Sequence, residues 1–294
     1  MSFSQLKKNS NSMLGKLSDQ LKSLDSKGSF KDNEGLWKLT VDPKTGVGSA
    51  VIRFLPAPEG EDVPLVRIWD HGFQGPGGWY IENSLTTINQ TDPVSEYNSV
   101  LWNSGVEKNK EIARKQKRRL SFYSNILVIK DPANPANEGK VFKFKYGKKI
   151  FEMINDAMSP QFDDVEPFVP FDLWAGADFR LKARNVDGYR SYDKSEFGTP
   201  GTLGDFDDEE LEKIWKQCYS LQEIIDPKNF KSYAELKAKM ARVLMLNVDA
   251  PTSAPKQEKE KESPTMAEES DTAPWVDSGD DEDDMAFFKN LAED

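Results

Sequence analysis

The chain has little of what catalytic centres and stapled folds are built from. Its 294 residues include one cysteine, Cys218, and one histidine, His71. A lone cysteine excludes an intramolecular disulfide and any site made of several thiolates. A lone histidine excludes HExxH and other histidine-rich metal sites. Long apolar runs are missing too: nothing approaches the ~20 consecutive apolar residues a spanning helix needs. Lys7 and Lys8 are followed by NSNSMLGKLSDQ, which is no signal-peptide core. The expectation is a soluble intracellular protein without a membrane partner. No G-x-x-x-x-G-K-[ST] loop occurs, and neither GVGSAV nor GPGGWY completes a dinucleotide fingerprint. Carboxylates cluster at Asp163, Asp164 and Glu166 and from Asp205 to Glu210, so a metal-dependent nuclease stays open as an alternative. The second cluster, however, sits where a helix start already favours acids.

The formal net charge is −11, but it is placed unevenly. Lys256 to Asp294 holds 4 basic and 14 acidic residues, leaving the rest of the chain near neutrality at −1. Lys108 to Lys149 holds 13 basic residues against 3 acidic ones. A positive segment therefore lies in a neutral body, and a negative tail follows it.

Along the chain, residues 1–27 form a polar arm with Leu14, Leu17, Leu21 and Leu24 at helical spacing. Strands are expected at Trp37 to Val41, Ala50 to Leu55, Val63 to Trp69, Gly78 to Glu82, Ser121 to Lys130 and Val141 to Tyr146. The punctuation between them (DPKTG, PAPEGED, GPGG, DPANPANEG) is that of a small barrel or sandwich. Helices are expected at Lys148 to Met158, Asp207 to Leu221 and Ser232 to Asn247. Cys218 falls on the apolar stripe of the second of these and reads as a buried helix residue. Residues 249–294 are too polar to bury a core and read as a disordered acidic tail.

The basic segment is threaded with rings, and that combination suits a single nucleic-acid strand. Lys and Arg neutralise phosphates, and exposed aromatic faces stack on unpaired bases. The run KQKRR leads directly into Phe122 and Tyr123, and like charges so crowded repel one another unless a polyanion screens them. Tyr189 and Tyr192 flank Arg190 in a polar stretch. For any single ring, burial in a core explains it equally well.

The blocks EGLWKL, AVIRFLP, DHGF with WYIE, KRRLSFYSNILVIKDP, NEGKVFKFKYGKKI and DGYRSYD, in this order, resemble the replicative single-stranded DNA-binding, helix-destabilising proteins of T4-like bacteriophages. The resemblance spans roughly residues 35–240. It implies an α+β chain with an OB-fold-type β-barrel core and peripheral helices. It divides the chain into a cooperative N-terminal arm (1–27), a DNA-binding core (28–248) and a partner-recruiting tail (249–294). The DNA-binding residues it implies are Lys117, Arg118, Arg119, Phe122, Tyr123, Phe144, Tyr189 and Tyr192, to which the positive charge running on to Lys149 adds Lys143, Lys145, Lys148 and Lys149 as expected phosphate contacts. Lys7, Lys8, Ser10 and Ser12 stand for the family's self-association cluster. Asp280, Asp281, Asp283, Asp284, Phe287 and Phe288 stand for its partner-binding tail, which meets replication, recombination and repair proteins.

The resemblance also implies a structural zinc, whose ligand positions correspond to His71, Ser84, Asp92 and Ser95. Serine hydroxyls are poor zinc ligands, so the site is expected to be lost and no cofactor is expected. Trp69, Trp79, Tyr80, Tyr97 and Trp102 are candidates to pack that region instead. The function expected is cooperative, largely sequence-independent coating of single-stranded DNA in the cytoplasm of an infected host, without catalysis. Single-stranded RNA remains the alternative ligand, because stacking and phosphate contacts do not by themselves read a 2′-hydroxyl.

Overall fold

A computed structural model describes residues 35–162 and 164–246. Among the described residues nine strands form one sheet: β1 Leu36–Trp37, β2 Gly48–Phe54, β3 Leu65–Gly75, β4 Gly78–Asn83, β5 Arg119–Lys130, β6 Val141–Tyr146, β7 Phe179–Val186, β8 Tyr189–Ser191 and β9 Glu196–Phe197. Five α-helices accompany them among the described residues: α1 Pro93–Asn103, α2 Glu107–Lys115, α3 Lys148–Met158, α4 Asp208–Lys216 and α5 Tyr233–Leu244. The chain is therefore α+β, as expected.

The organising element is β5. Its Phe122 to Leu127 stretch pairs with β6 along one edge. On the other edge β3 pairs with Arg119 to Ser124 and β2 with Ile126 to Lys130, so β2 and β3 lie end to end. The sheet path runs β1-β6-β5-β2-β7-β8 and stays open. Among the described residues the sheet is large and open, and its end strands β1 and β8 have two and three residues.

Side chains alternate across a strand, and residues opposite one another in an antiparallel pair share a face. One face carries Phe122, Ser124, Ile126 and Val128 of β5, Phe144 and Tyr146 of β6, and Ile52 and Phe54 of β2. With Phe171, Phe179 and the apolar stripe of α3 (Ile150, Ile154, Met158) they form the main core. The opposite face carries Tyr123, Asn125 and Leu127. It is covered by α4, through Leu211, Ile214 and Trp215, and by Leu221, Ile224 and Ile225. A third cluster lies beyond the end of β5. There Phe73 and Tyr80 of the β3–β4 hairpin meet Leu85, Ile88, Val94 and the Leu236, Met240 and Val243 stripe of α5.

The β6 and α3 spans match expectation to the residue. α1 and α2 fall between the expected strands Gly78 to Glu82 and Ser121 to Lys130, where no element was expected. Asp92 caps α1 through Val94 N and Ser95 N, both at 3.0 Å, and Pro93 begins the helix. α4 stops five residues before the expected end. The buried Asn125 side chain donates to Tyr219 O at 2.8 Å and accepts from Tyr219 N at 3.0 Å, which takes the chain out of the helix. Glu61 then accepts from Leu221 N and Gln222 N, both at 3.2 Å. Cys218 consequently lies past the helix, where burial pushes its thiol up to about 12.

Candidate nucleic-acid interface

Strand alternation divides the basic, ring-bearing segment between two faces. Tyr123, Lys143 and Lys145 lie on the face covered by residues 219–225, while Phe122 and Phe144 lie on the main-core face. The rings are consequently not presented as one platform. Phe122, Tyr123 and Phe144 are each about 5% exposed or less. Phe122 stacks on Phe151 at 4.1 Å, and Phe144 packs edge-on to Trp37 at 5.4 Å. Much of their apolar area packs in the core.

Several cations are spent as well. The buried Arg119 pairs with Asp70, its Nε (2.7 Å) and Nη2 both donating to Oδ1, and Lys145 Nζ lies 3.4 Å from Oδ2. Burial alone would push the Asp70 carboxyl up, but Lys145 and Arg119 outweigh it and hold it below the usual range. Gly72 seats this pair, since a Cβ there would stand 2.7 Å from the Arg119 guanidinium carbon. Arg119, expected as a DNA-binding residue, is here a buried partner of Asp70. Lys143 lies over the Tyr219 ring at 4.9 Å. Lys148, partly buried, pairs with Glu152 at 4.0 Å, and Lys149 is exposed.

Accessible chemistry is left at the near end of β5, on the main-core face. Arg118 lies just before the strand with its guanidinium carbon 4.1 Å from the centroid of the Trp69 ring. In the β3–β5 register Trp69 faces Leu120 and Arg67 faces Phe122, so Arg67 and Trp69 share that face. Arg67, Trp69, Lys117, Arg118, Leu120 and Phe151 are all partly exposed. Arg67 and Trp69 were not expected as site residues. A tryptophan in a strand reads as core, and Arg67 stands apart from the basic run.

Tyr189 sits on β8, separated from β5 by β2 and β7, and Tyr192 packs against the main core. Both are partly exposed. The arm residues Lys7, Lys8, Ser10 and Ser12, and the tail residues Asp280, Asp281, Asp283, Asp284, Phe287 and Phe288, lie outside the described residues.

The structure brings the four family zinc positions together but ties them by hydrogen bonds. His71 Nε2 lies 3.3 Å from Asp92 Oδ1, and its Nδ1 lies 3.1 Å from the Gln116 carbonyl. Asp92 Oδ1 also takes the α1 cap, while Oδ2 accepts from Leu85 N at 3.1 Å. Ser84 caps the 3₁₀ turn Leu85–Ile88. Burial raises the Asp92 carboxyl, but His71 and the backbone donors prevail and bring it to about 2. Both Asp92 oxygens are thus engaged within the protein. Among the described residues no group of three or more His, Cys, Asp or Glu side chains is gathered to hold one. Of the packing candidates, Tyr80 stacks on Phe73 at 5.0 Å and Tyr97 joins the third cluster. Trp102 instead receives Lys110 and Arg114 over its ring, at 5.3 and 5.4 Å, and so bridges α1 to α2.

A family model described as gp32 DNA binding protein like matches residues 46–244. The chain is 41% identical over 228 residues to the single-stranded DNA-binding protein of Enterobacteria phage T2, covering 74% of this chain and 73% of that protein. It is 39% identical over 245 residues to the single-stranded DNA-binding protein of Enterobacteria phage T4, covering 80% and 79%.

Proposed function

The chain belongs to the gp32-like family of DNA-binding proteins, and from that premise we propose that it binds and coats single-stranded DNA during phage DNA replication. The observation that carries this reading is 41% and 39% identity, over about three quarters or more of the chain, to two proteins named for that activity. The accessible cations agree with it: the partly exposed Lys117 and Arg118 before β5 and the exposed Lys149 of α3 supply charge for phosphates. Selective binding of the unstacked strand lowers duplex stability by mass action, and no nucleotide hydrolysis is required.

The finer parts of the reading rest on the family. Residues 1–27 would join neighbouring copies along the strand, and residues 249–294 would recruit replication, recombination and repair proteins. The place of action would be the cytoplasm of the infected host. No helix among the described residues is long and apolar enough to cross a membrane. The protein would work as a binder without catalysis and without zinc. Support for a zinc-free His71 region comes from Asp92, whose oxygens already hold His71, Leu85 N and the α1 cap.

The test is fluorescence titration of the full chain with oligo(dT) at several salt concentrations. Log affinity is expected to fall with log salt by ~0.7 per phosphate contact. Salt-independent binding would refute the reading, as would equal or greater affinity for an RNA oligomer of the same length.

A further inference from the structure

β7 alternates between Phe179, Leu181 and Ala183, which enter the main core, and Arg180, Lys182 and Arg184, which point the other way. On β2 the register sets Val51 opposite Arg180 and Ser49 opposite Lys182, and Val47 continues the same parity just before the strand. The result is a sheet face that bears cations and valines together. It is open to solvent: Arg180, Arg184 and Ser49 are exposed, and Val47 is 55% exposed. Its cations share too few carboxylates. Glu196 serves both Lys182, at 2.8 Å, and Arg180, at 3.8 Å, while Asp193 serves Arg184, at 2.6 Å, and Lys194, at 3.8 Å. Four cations against two carboxylates leave two positive charges in surplus.

The complementary chemistry lies across the main core. Between Ile150 and Phe179 the sequence holds no lysine or arginine. α3 turns Ile150, Ile154 and Met158 into the core, so its outward side, with the exposed Glu152 and Asp156, faces away from the sheet. A turn soon after it, in which Val165 N donates to Phe162 O at 3.2 Å, adds the exposed Asp164, and Glu166 follows. Phe162 is 71% and Val165 48% exposed, so this acidic side too carries a pair of apolar side chains. Asp156, Asp164 and Glu166 form no ion pair among the described residues, so the two surfaces do not neutralise each other within one copy.

We infer that the β2–β7 face docks on the α3 side of a second copy of this chain, cations against acids and valines against Phe162 and Val165. The two surfaces differ and the main core lies between them, so the contact runs head to tail and repeats from copy to copy as an open row. An open row is what successive copies on one strand require. The inference rests on the coating reading above and adds a contact between folded cores to the one proposed there for residues 1–27. Exposed ion pairs are each worth little, so the contact takes hold where a strand already keeps copies side by side at high effective concentration.

The experiment compares the full chain on an oligo(dT) that holds one copy with the same chain on poly(dT), and reads the gain in affinity per site. Reversing the cation row, by Arg180→Glu with Lys182→Glu, is expected to lower that gain about 3- to 30-fold, and so is reversing the acidic side by Asp164→Lys with Glu166→Lys. The fourfold variant, whose net charge equals that of wild type, should recover the gain, because each copy then offers both reversed surfaces. If either pair of substitutions keeps the wild-type gain, or the fourfold variant fails to recover it, the contact is refuted and the DNA reading stands. A row that merely touches DNA would lose affinity on the short oligomer as well, without rescue from the acidic side. If wild type does not bind even the short oligomer, the DNA reading falls and the contact with it. Should a reversed pair fail to fold, Phe162→Ser with Val165→Ser takes its place, and an unchanged gain there refutes the contact.

Discussion

Asp70 takes two cations out of circulation, and that decides which members of the basic run remain for a ligand. It is buried, accepts two N–H donors of Arg119 on Oδ1, and its Oδ2 lies 3.4 Å from Lys145 Nζ. Asp70→Asn would leave a buried guanidinium without its counter-charge, expected to cost about 3–5 kcal/mol. Urea unfolding measures this, and a change within about 0.5 kcal/mol, the ordinary surface range, would show that the pair is not buried as described. Asp92 makes a parallel case in acid. Its folded carboxyl titrates at about 2 against an ordinary 3.8, so the unfolded chain takes up the proton first. The stability it lends is complete above the ordinary value and is lost as pH falls through about 2. Asp92→Asn should lower the melting temperature at neutral pH and flatten its decline across that acid window. An equally steep decline in the variant would sink the assignment. Single residues were only partly legible in the sequence. KQKRR announces charge, but it does not show that Arg119 faces Asp70 while Arg118 faces Trp69. That sorting depends on strand parity and on what covers each face.

Elements were legible where one pattern dominated. Alternation in Val141 to Tyr146 marks β6, and the Ile150, Ile154, Met158 stripe marks α3. α1 and α2 escaped for opposite reasons. α1 opens on a Pro within a stretch that also matches the family's metal pattern, and α2 buries only Ala113, so it offers almost no apolar stripe. The α4 boundary was set by Asn125, which lies 94 residues away from its partner Tyr219. No local signal carries that information. The β3–β4 turn depends on equally distant contacts. Gly77 N donates to Val243 O at 2.8 Å, and a Cβ on Gly77 would stand 2.1 Å from the Arg242 carbonyl oxygen. Gly77→Ala is therefore expected to push α5 off the hairpin, at a cost of about 1–3 kcal/mol. Amide hydrogen exchange should show faster exchange along α5, whereas unchanged protection there would mean that the turn accommodates the methyl group.

At the scale of the whole molecule the central fact is a division of charge. Residues 256–294 carry a balance of −10, and the rest of the chain carries −1 while holding a cationic edge. Under the proposed function the acidic tail would compete with DNA phosphates for Lys117 and Arg118, and because it is part of the same chain that competition would be intramolecular, at an effective concentration of order mM. Ionic strength separates this from simple solubilisation. Beyond a Debye length of about 8 Å at physiological salt, exposed charges are largely screened, so the tail's hold on the edge weakens as salt rises. A chain truncated after Val248 should bind oligo(dT) more tightly than the full chain at low salt. The gap should narrow steadily as salt is added, and recruitment of partner proteins should be lost. Equal affinities at low salt would make the tail a solubilising appendage. A gap that persists unchanged at high salt would mean that truncation acts on the core fold and not through charge.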